Sequence, residues 1–186
     1  WDTTMGSLAI RGVAFDLVHP GRLWLATDSG LYRSDDEGRT TTRVVEGAVT
    51  SVWVDPAHPS TILAGGRGLW RSTDAGRTFR ESDLGLDTSV GSFASATVPP
   101  AHGHGAGTTV LFAGSERFRP GALVVPGRGV LASTDGGRSW VNVSAGMGST
   151  SVKNLQTSPD GVWLYVGTAN DGVYRAKVTD LLKAVR

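Results

Sequence analysis

The chain has 186 residues, enough for one domain or part of a larger one. Eighteen Lys and Arg against seventeen Asp and Glu leave a formal charge of +1, without the basic excess that a nucleic-acid binder needs. Hydrophobic residues at 39% supply a core, no apolar run reaches the roughly 18 residues of a membrane span, and the lack of cysteine excludes disulfides, thiolate metal sites and a cysteine nucleophile.

Four units of similar layout follow one another along the chain. The first has apolar runs at Val13-Ala14-Phe15-Asp16-Leu17 and Leu23-Trp24-Leu25-Ala26, then Gly30-Leu31-Tyr32-Arg33, then the octapeptide Ser34-Asp35-Asp36-Glu37-Gly38-Arg39-Thr40-Thr41. The second repeats this order as Val52-Trp53-Val54-Asp55-Pro56, Thr61-Ile62-Leu63-Ala64, Gly68-Leu69-Trp70-Arg71 and Ser72-Thr73-Asp74-Ala75-Gly76-Arg77-Thr78-Phe79. The third has Val110-Leu111-Phe112-Ala113, Gly129-Val130-Leu131-Ala132 and Ser133-Thr134-Asp135-Gly136-Gly137-Arg138-Ser139-Trp140. The fourth has Val152-Lys153-Asn154-Leu155, Val162-Trp163-Leu164-Tyr165-Val166-Gly167 and Gly172-Val173-Tyr174-Arg175, but Ala176 and Val178 stand where Ser and Asp should be.

Each unit therefore predicts strands a, b and c, a c–d turn, and strand d. Four short antiparallel strands per roughly 40 residues describe a β-propeller blade, so the expected fold is all-β with about four blades over residues 1–176. Residues 177–186 are expected to form a tail or short helix. The octapeptide has turn chemistry: Ser34, Ser72 and Ser133 offer a hydroxyl, Asp36, Asp74 and Asp135 a carboxylate for backbone N–H groups, and Gly38, Gly76 and Gly137 a positive φ. These nine residues are expected to be structural. The closing aromatic is expected to pack between strands, and Trp24, Trp53, Trp70 and Trp163 between blades.

Three copies of S-x-D-x-G-R-[ST]-[TFW] resemble the Asp-box, or bacterial neuraminidase repeat. That resemblance implies a propeller related to sialidases, xyloglucanase-type glycoside hydrolases, sortilin-like receptors or photosystem assembly factors, without choosing among them. Trp1 precedes Val13 by the same 12 residues that separate Trp140 from Val152, so it reads as the closing aromatic of a box. Two readings follow: further blades, or another chain, complete a larger propeller; or Asp2–Leu8 serves as strand d of the fourth blade and closes a four-bladed ring. The resemblance favours the larger propeller, because related families use six or more blades.

In a propeller the b–c and d–a loops share one face, and the c–d turns lie on the other. The b–c face is expected to hold Asp28, Glu116 and Asp171 as catalytic carboxylates and Arg67, Arg117 and Arg119 as substrate-binding cations. Glycoside hydrolysis needs two carboxyl groups at a defined separation. The stretch Ala26-Thr27-Asp28-Ser29-Gly30-Leu31-Tyr32-Arg33 is similar to the T-D-x-G-G-x-Y-R segment of xyloglucanase-type enzymes, which implies a catalytic part for Asp28; the alternative is a turn former. Phe118-Arg119-Pro120 resembles the sialidase F-R-I-P segment but lacks its isoleucine. His102 and His104 lack an evident third ligand, so no metal and no cofactor are expected. The expectation is a secreted or cell-surface glycoside hydrolase, or part of one, acting on polysaccharide or oligosaccharide. The alternative is a non-catalytic propeller that binds protein or peptide.

Overall fold

The computed structural model describes residues 9–82, 84, 88–100, 106–119 and 121–185. The predicted Asp2–Leu8 strand and the His102/His104 pair lie outside these residues. The chain divides between Glu81 and Ser82 into two compact units.

The first unit holds two antiparallel meanders. Blade one consists of β1 (Ile10–Phe15), β2 (Leu23–Thr27), β3 (Gly30–Ser34) and β4 (Thr42–Glu46), paired in that order. Blade two consists of β5 (Val49–Val54), β6 (Ile62–Gly66), β7 (Gly68–Ser72) and β8 (Arg80–Ser82), whose last residue falls just past the division. In the second unit, blade three is β9 (Ser89–Val98), β10 (Thr108–Glu116), β11 (Gly129–Ser133) and β12 (Val141–Asn142). The last sheet is β13 (Val152–Thr157), β14 (Trp163–Thr168) and β15 (Val173–Lys177). The helix α1 (Val178–Leu182) follows where the fourth octapeptide is lost.

All four a–b pairs share one irregularity. The register slips by one residue just after Ile10, Val49, Val90 and Val152, which pair with Thr27, Gly66, Ser115 and Thr168. A bulge at this place re-aims the start of strand a and ends the ladder at the b–c turn. It also fixes which residues are equivalent between blades.

Each unit has its own core. In the first, Trp24, Ala26 and Leu31 of blade one meet Val49, Val54, Ile62 and Ala64 of blade two, with β5 lying against β1, β2 and β3. In the second, Val110, Phe112 and Val130 meet Val152, Leu155, Leu164 and Val166, with β13 lying against β9 and β10. Val178 and Leu182 of α1 are buried in this second core. A fully buried side chain of this size contributes about 1.5–3 kcal/mol. Strand a of one blade thus seats on the blade before it.

The three octapeptides form nearly identical turns. The Ser34 hydroxyl donates to Asp36 Oδ1 at 2.8 Å and accepts the Gly38 N–H at 2.8 Å. Asp36 in turn accepts the Thr40 N–H at 2.8 Å and the Thr40 hydroxyl at 2.7 Å. Ser72, Asp74, Gly76 and Thr78 repeat these bonds at 2.8, 2.9, 2.9 and 2.7 Å. Ser133, Asp135, Gly137 and Ser139 do so at 2.8, 2.9, 3.0 and 2.7 Å. The hydroxyl residue after the arginine closes the ring of bonds, a role the sequence motif marks without explaining. Two consecutive residues take positive φ in each turn: Glu37 and Gly38, Ala75 and Gly76, Gly136 and Gly137. The Glu37 N–H donates to Gly21 O and the Ala75 N–H to Ser60 O, tying each of the first two boxes to the a–b turn of its own blade.

Trp24 connects the two blades of the first unit. A Cβ on Gly76, at φ +75°, would stand 2.0 Å from Trp24 Cη2. Phe79 closes the contact, its ring edge-on to the indole with centroids 5.9 Å apart. Trp70 packs against this core more loosely. Trp163 differs from the expectation of blade packing: its ring lies under the Arg175 guanidinium at 4.6 Å and the Lys177 ammonium at 5.7 Å. These are cations of the neighbouring strand, held by the ring's negative face.

Gly76→Ala is expected to cost about 3 kcal/mol, from backbone strain together with displacement of the indole. Gly47→Ala shares the strained backbone, at φ +86°, but meets nothing within 4 Å. It should cost only about 1 kcal/mol. Chemical denaturation of both variants checks this, and equal losses would mean that the indole contact adds nothing.

Candidate functional site

The b–c turn of blade one is built by Thr27. Its hydroxyl donates to Gly30 O at 2.8 Å and accepts the Ser29 N–H at 3.1 Å. Blade four uses Thr168 in the same way, donating to Gly172 O at 2.9 Å and accepting the Asp171 N–H at 3.1 Å. The turn-former role weighed for Asp28 therefore falls to Thr27, which leaves the Asp28 side chain free to point elsewhere.

Asp28 meets Arg11 on strand a. Arg11 Nε donates to Oδ1 and Nη2 to Oδ2, both at 2.7 Å, a fork that fits a carboxylate with two parallel bonds. Both side chains are about half exposed. The Arg11 hydrogen bond, outweighing slight desolvation, holds the Asp28 carboxyl below the usual carboxylate range and raises the pKa of Arg11 itself. Beside them, the Ser29 and Tyr32 hydroxyls lie 3.2 Å apart. Sequence reading missed Arg11; the signal was its place next to Ile10 at the bulge, one step from the pairing with Thr27. Arg67 lies exposed in the tight β6–β7 turn of the same unit.

In the second unit a different group of candidates gathers. Glu116, at the end of β10, accepts a bond from Lys153 Nζ of β13 at 2.6 Å and is mostly buried. The Arg117 N–H donates to Ser151 Oγ at 3.2 Å, while the Ser151 carbonyl accepts the Ala169 N–H at 3.0 Å. The end of β10, the approach to β13 and the β14–β15 turn thus converge on Ser151. Asp171 in that turn accepts the Tyr174 hydroxyl, which raises the Tyr174 pKa. The same phenolic oxygen accepts the Gly148 N–H at 3.1 Å. The insertion after β10 folds back on itself, since Phe118 and Val125 exchange backbone bonds of 3.1 and 2.9 Å. Arg117 and Arg119 remain exposed along it.

The box carboxylates have a different chemistry. Asp36 and Asp74 are lowered to about 2 by the backbone bond of the residue four places on, then by its hydroxyl and by the box serine. For Asp135 burial opposes ionisation most strongly, yet the bonds from Ser139, Ser133 and Arg138 still hold it at about 2. Carboxylates so fully engaged by their own turns are poorly placed to take up a substrate proton.

Concave surface occurs elsewhere. A cleft of about 460 Å³ in the second unit is lined by Ser95, Thr97, Gln156 and Asp160, on the a–b turn side. Among the described residues no group of three His, Asp or Glu side chains is arranged to hold a metal ion. Among them, too, no helix is long and apolar enough to cross a membrane.

No protein-family model and no curated protein matches the chain. Solved structures do. An ancestral GH74 enzyme superimposes with a TM-score of 0.70 at 22% identity, over 90% of this chain and 22% of that one. The extracellular domain of a hybrid two-component system from B. thetaiotaomicron gives 0.65 at 18% identity, over 93% and 24%. YCF48 bound to D1 peptide gives 0.55 at 11% identity, over 91% and 49%. The chain therefore spans between about a fifth and a half of the length of the structures it resembles. At these identities the likeness shows the fold alone, and that fold is the β-propeller.

Arg11→Gln should let the Asp28 pKa rise back toward the ordinary carboxylate range, because the fork and its charge are both lost. Titration of the Asp28 side-chain carboxyl by carbon NMR measures this; an unmoved midpoint would show that the ion pair does not govern its charge.

Proposed function

We propose that the chain belongs to a secreted or cell-surface carbohydrate-active propeller of the Asp-box type, which takes a polysaccharide or oligosaccharide across its b–c loops. Asp28 is its reactive carboxylate. The observation that carries this reading is the Arg11–Asp28 fork, which keeps the carboxylate ionised while leaving it half exposed to an approaching ligand. The resemblance of the Thr27–Arg33 segment to xyloglucanase-type enzymes and the likeness in fold to an ancestral GH74 enzyme support it. An ionised, cation-paired carboxylate suits a general base or nucleophile. It does not suit the general acid, whose pKa must be raised by an apolar setting. The proton donor to the leaving group is therefore not assigned to Asp28. Glu116 and Asp171 are proposed instead to accept sugar hydroxyls, with Arg67, Arg117 and Arg119 as substrate contacts and the box residues as structural supports.

A second reading is favoured by the same pairing. Carboxylates already satisfied, Asp28 by Arg11 in the first unit and Glu116 by Lys153 in the second, suit recognition without chemistry. The fold likeness to a propeller bound to a peptide supports it. On this reading the loops of the b–c face hold a peptide or protein.

Asp28→Asn separates the two. It should lower hydrolysis of soluble β-glucans by at least about 100-fold without changing the melting temperature. Full retention of hydrolysis would remove Asp28 from the chemistry. A wild-type protein inert on every glycan but able to bind peptide in calorimetry would establish the recognition reading.

A further inference from the structure

The bulge marks two positions of the repeat whose residues differ from blade to blade while the strands around them stay alike. The first is the residue pushed out of the ladder on strand a: Arg11, Thr50, Gly91 and Lys153. The second follows the strand-b residue that faces the start of strand a: Asp28, Arg67, Glu116 and Ala169. In blade one the two positions meet as the Arg11–Asp28 fork.

Blades three and four, both in the second unit, divide such a pair between them. Blade three has the carboxylate, Glu116, but glycine where the cation would stand. Blade four has the cation, Lys153, but alanine where the carboxylate would stand. The two halves find each other, as Lys153 Nζ donates to Glu116 Oε2 at 2.6 Å across the blade boundary. Gly91 makes room for this, since a Cβ there would stand 2.6 Å from Glu116 Oε1 and 3.1 Å from its Cδ. Ser151 fixes the backbone on both sides, accepting the Arg117 N–H at its hydroxyl and the Ala169 N–H at its carbonyl. An ion pair open to solvent on its lysine side adds little to stability. What it provides is an ordered donor beside an ordered acceptor.

We infer that Glu116 and Lys153 form a subsite for two neighbouring hydroxyls of an uncharged sugar ring, with Gly91 positioning the carboxylate. One hydroxyl donates to Glu116 and the next accepts from Lys153. An ammonium has three N–H donors, of which Glu116 takes one, and a carboxylate has lone pairs beyond the one that Lys153 engages. The donor and acceptor stand 2.6 Å apart, close to the spacing of adjacent hydroxyl oxygens on a sugar ring. The side chains are 55% and 22% exposed for Lys153 and Glu116, so a ligand reaches both. Because the pair as a whole is neutral, it favours an uncharged sugar over an acidic one. This rests on the carbohydrate reading proposed above and adds to it a ligand class and two residues, Lys153 and Gly91.

Binding rather than hydrolysis is the readout, so that the subsite and the chemistry of Asp28 stand or fall separately. Cellotetraose is titrated into the full chain while the Glu116 side-chain carboxyl is followed by carbon NMR. The wild-type signal should move and saturate. Lys153→Met removes the ammonium, Gly91→Ala displaces the carboxylate while keeping both charges, and Ala169→Asp gives Lys153 the carboxylate that its own turn lacks. Each should weaken binding by about 10-fold or more with the melting temperature unchanged. If Gly91→Ala lowers the melting temperature, Ala169→Asp carries the same test from an exposed turn. Wild type that binds cellotetraose through this pair but hydrolyses nothing would keep the subsite and remove the catalytic reading. Equal binding by all three variants, in a protein whose hydrolysis Asp28→Asn abolishes, would overturn the subsite and keep that reading. A wild type that does not bind cellotetraose, or that binds tetragalacturonate more tightly, would also overturn the inference.

Discussion

A serine hydroxyl and an aspartate carboxylate, locked into one turn, are what the rest of this structure depends on. In each complete box the serine bridges the carboxylate to the glycine N–H, and the carboxylate reaches four residues on to fix a backbone N–H and a hydroxyl. Two successive residues with positive φ would splay an ordinary chain, and the bonded side chains offset that cost. With the turn fixed, strand d returns beside strand c. In the first two blades the box then bonds to the a–b turn of its own blade, through Glu37 to Gly21 and Ala75 to Ser60.

The same turn also mediates packing between blades. Gly76 leaves room for Trp24 because it has no side chain, and Phe79 closes the edge of that contact. One glycine thus serves two demands, a positive φ and a close approach, which explains why a box in a following blade and an indole in the preceding one belong to a single packing unit. Where the box is absent, after β15, the short helix α1 takes over by burying Val178 and Leu182 in the second core.

Much of this was legible in the sequence because repetition exposes periodic demands. Ser, Asp and Gly at fixed spacing within each octapeptide declare the turn, and the apolar runs upstream declare the strands. What was not legible depends on register and partner choice. Arg11 and Asp28 lie 17 residues apart and meet only because the bulge at Ile10 sets where strand a faces the b–c turn. Thr27 builds that turn rather than Asp28, since a hydroxyl one position earlier reaches Gly30 O directly. Trp163 resembles the buried Trp24 in its sequence setting, yet Arg175 and Lys177 on the neighbouring strand claim its face. Composition around a residue shows its strand but not which neighbour reaches it first.

The structure also separates two kinds of carboxylate. Carboxylates of the boxes are consumed by their own turns, whereas Asp28 is held in a half-exposed fork with Arg11. The central claim, that ionised box carboxylates hold the fold, makes a prediction about pH. Their pKa falls from an ordinary 3.8 to about 2 on folding, so their stabilisation is complete above about pH 4 and is lost as pH drops toward 2. The decisive measurement is the melting temperature of the wild type and of Asp74→Asn across this range. The account predicts a steep fall for the wild type between about pH 4 and 2 and a shallower one for the variant, which starts less stable. Identical acid sensitivity in the two proteins, with equal stability near neutrality, would contradict it.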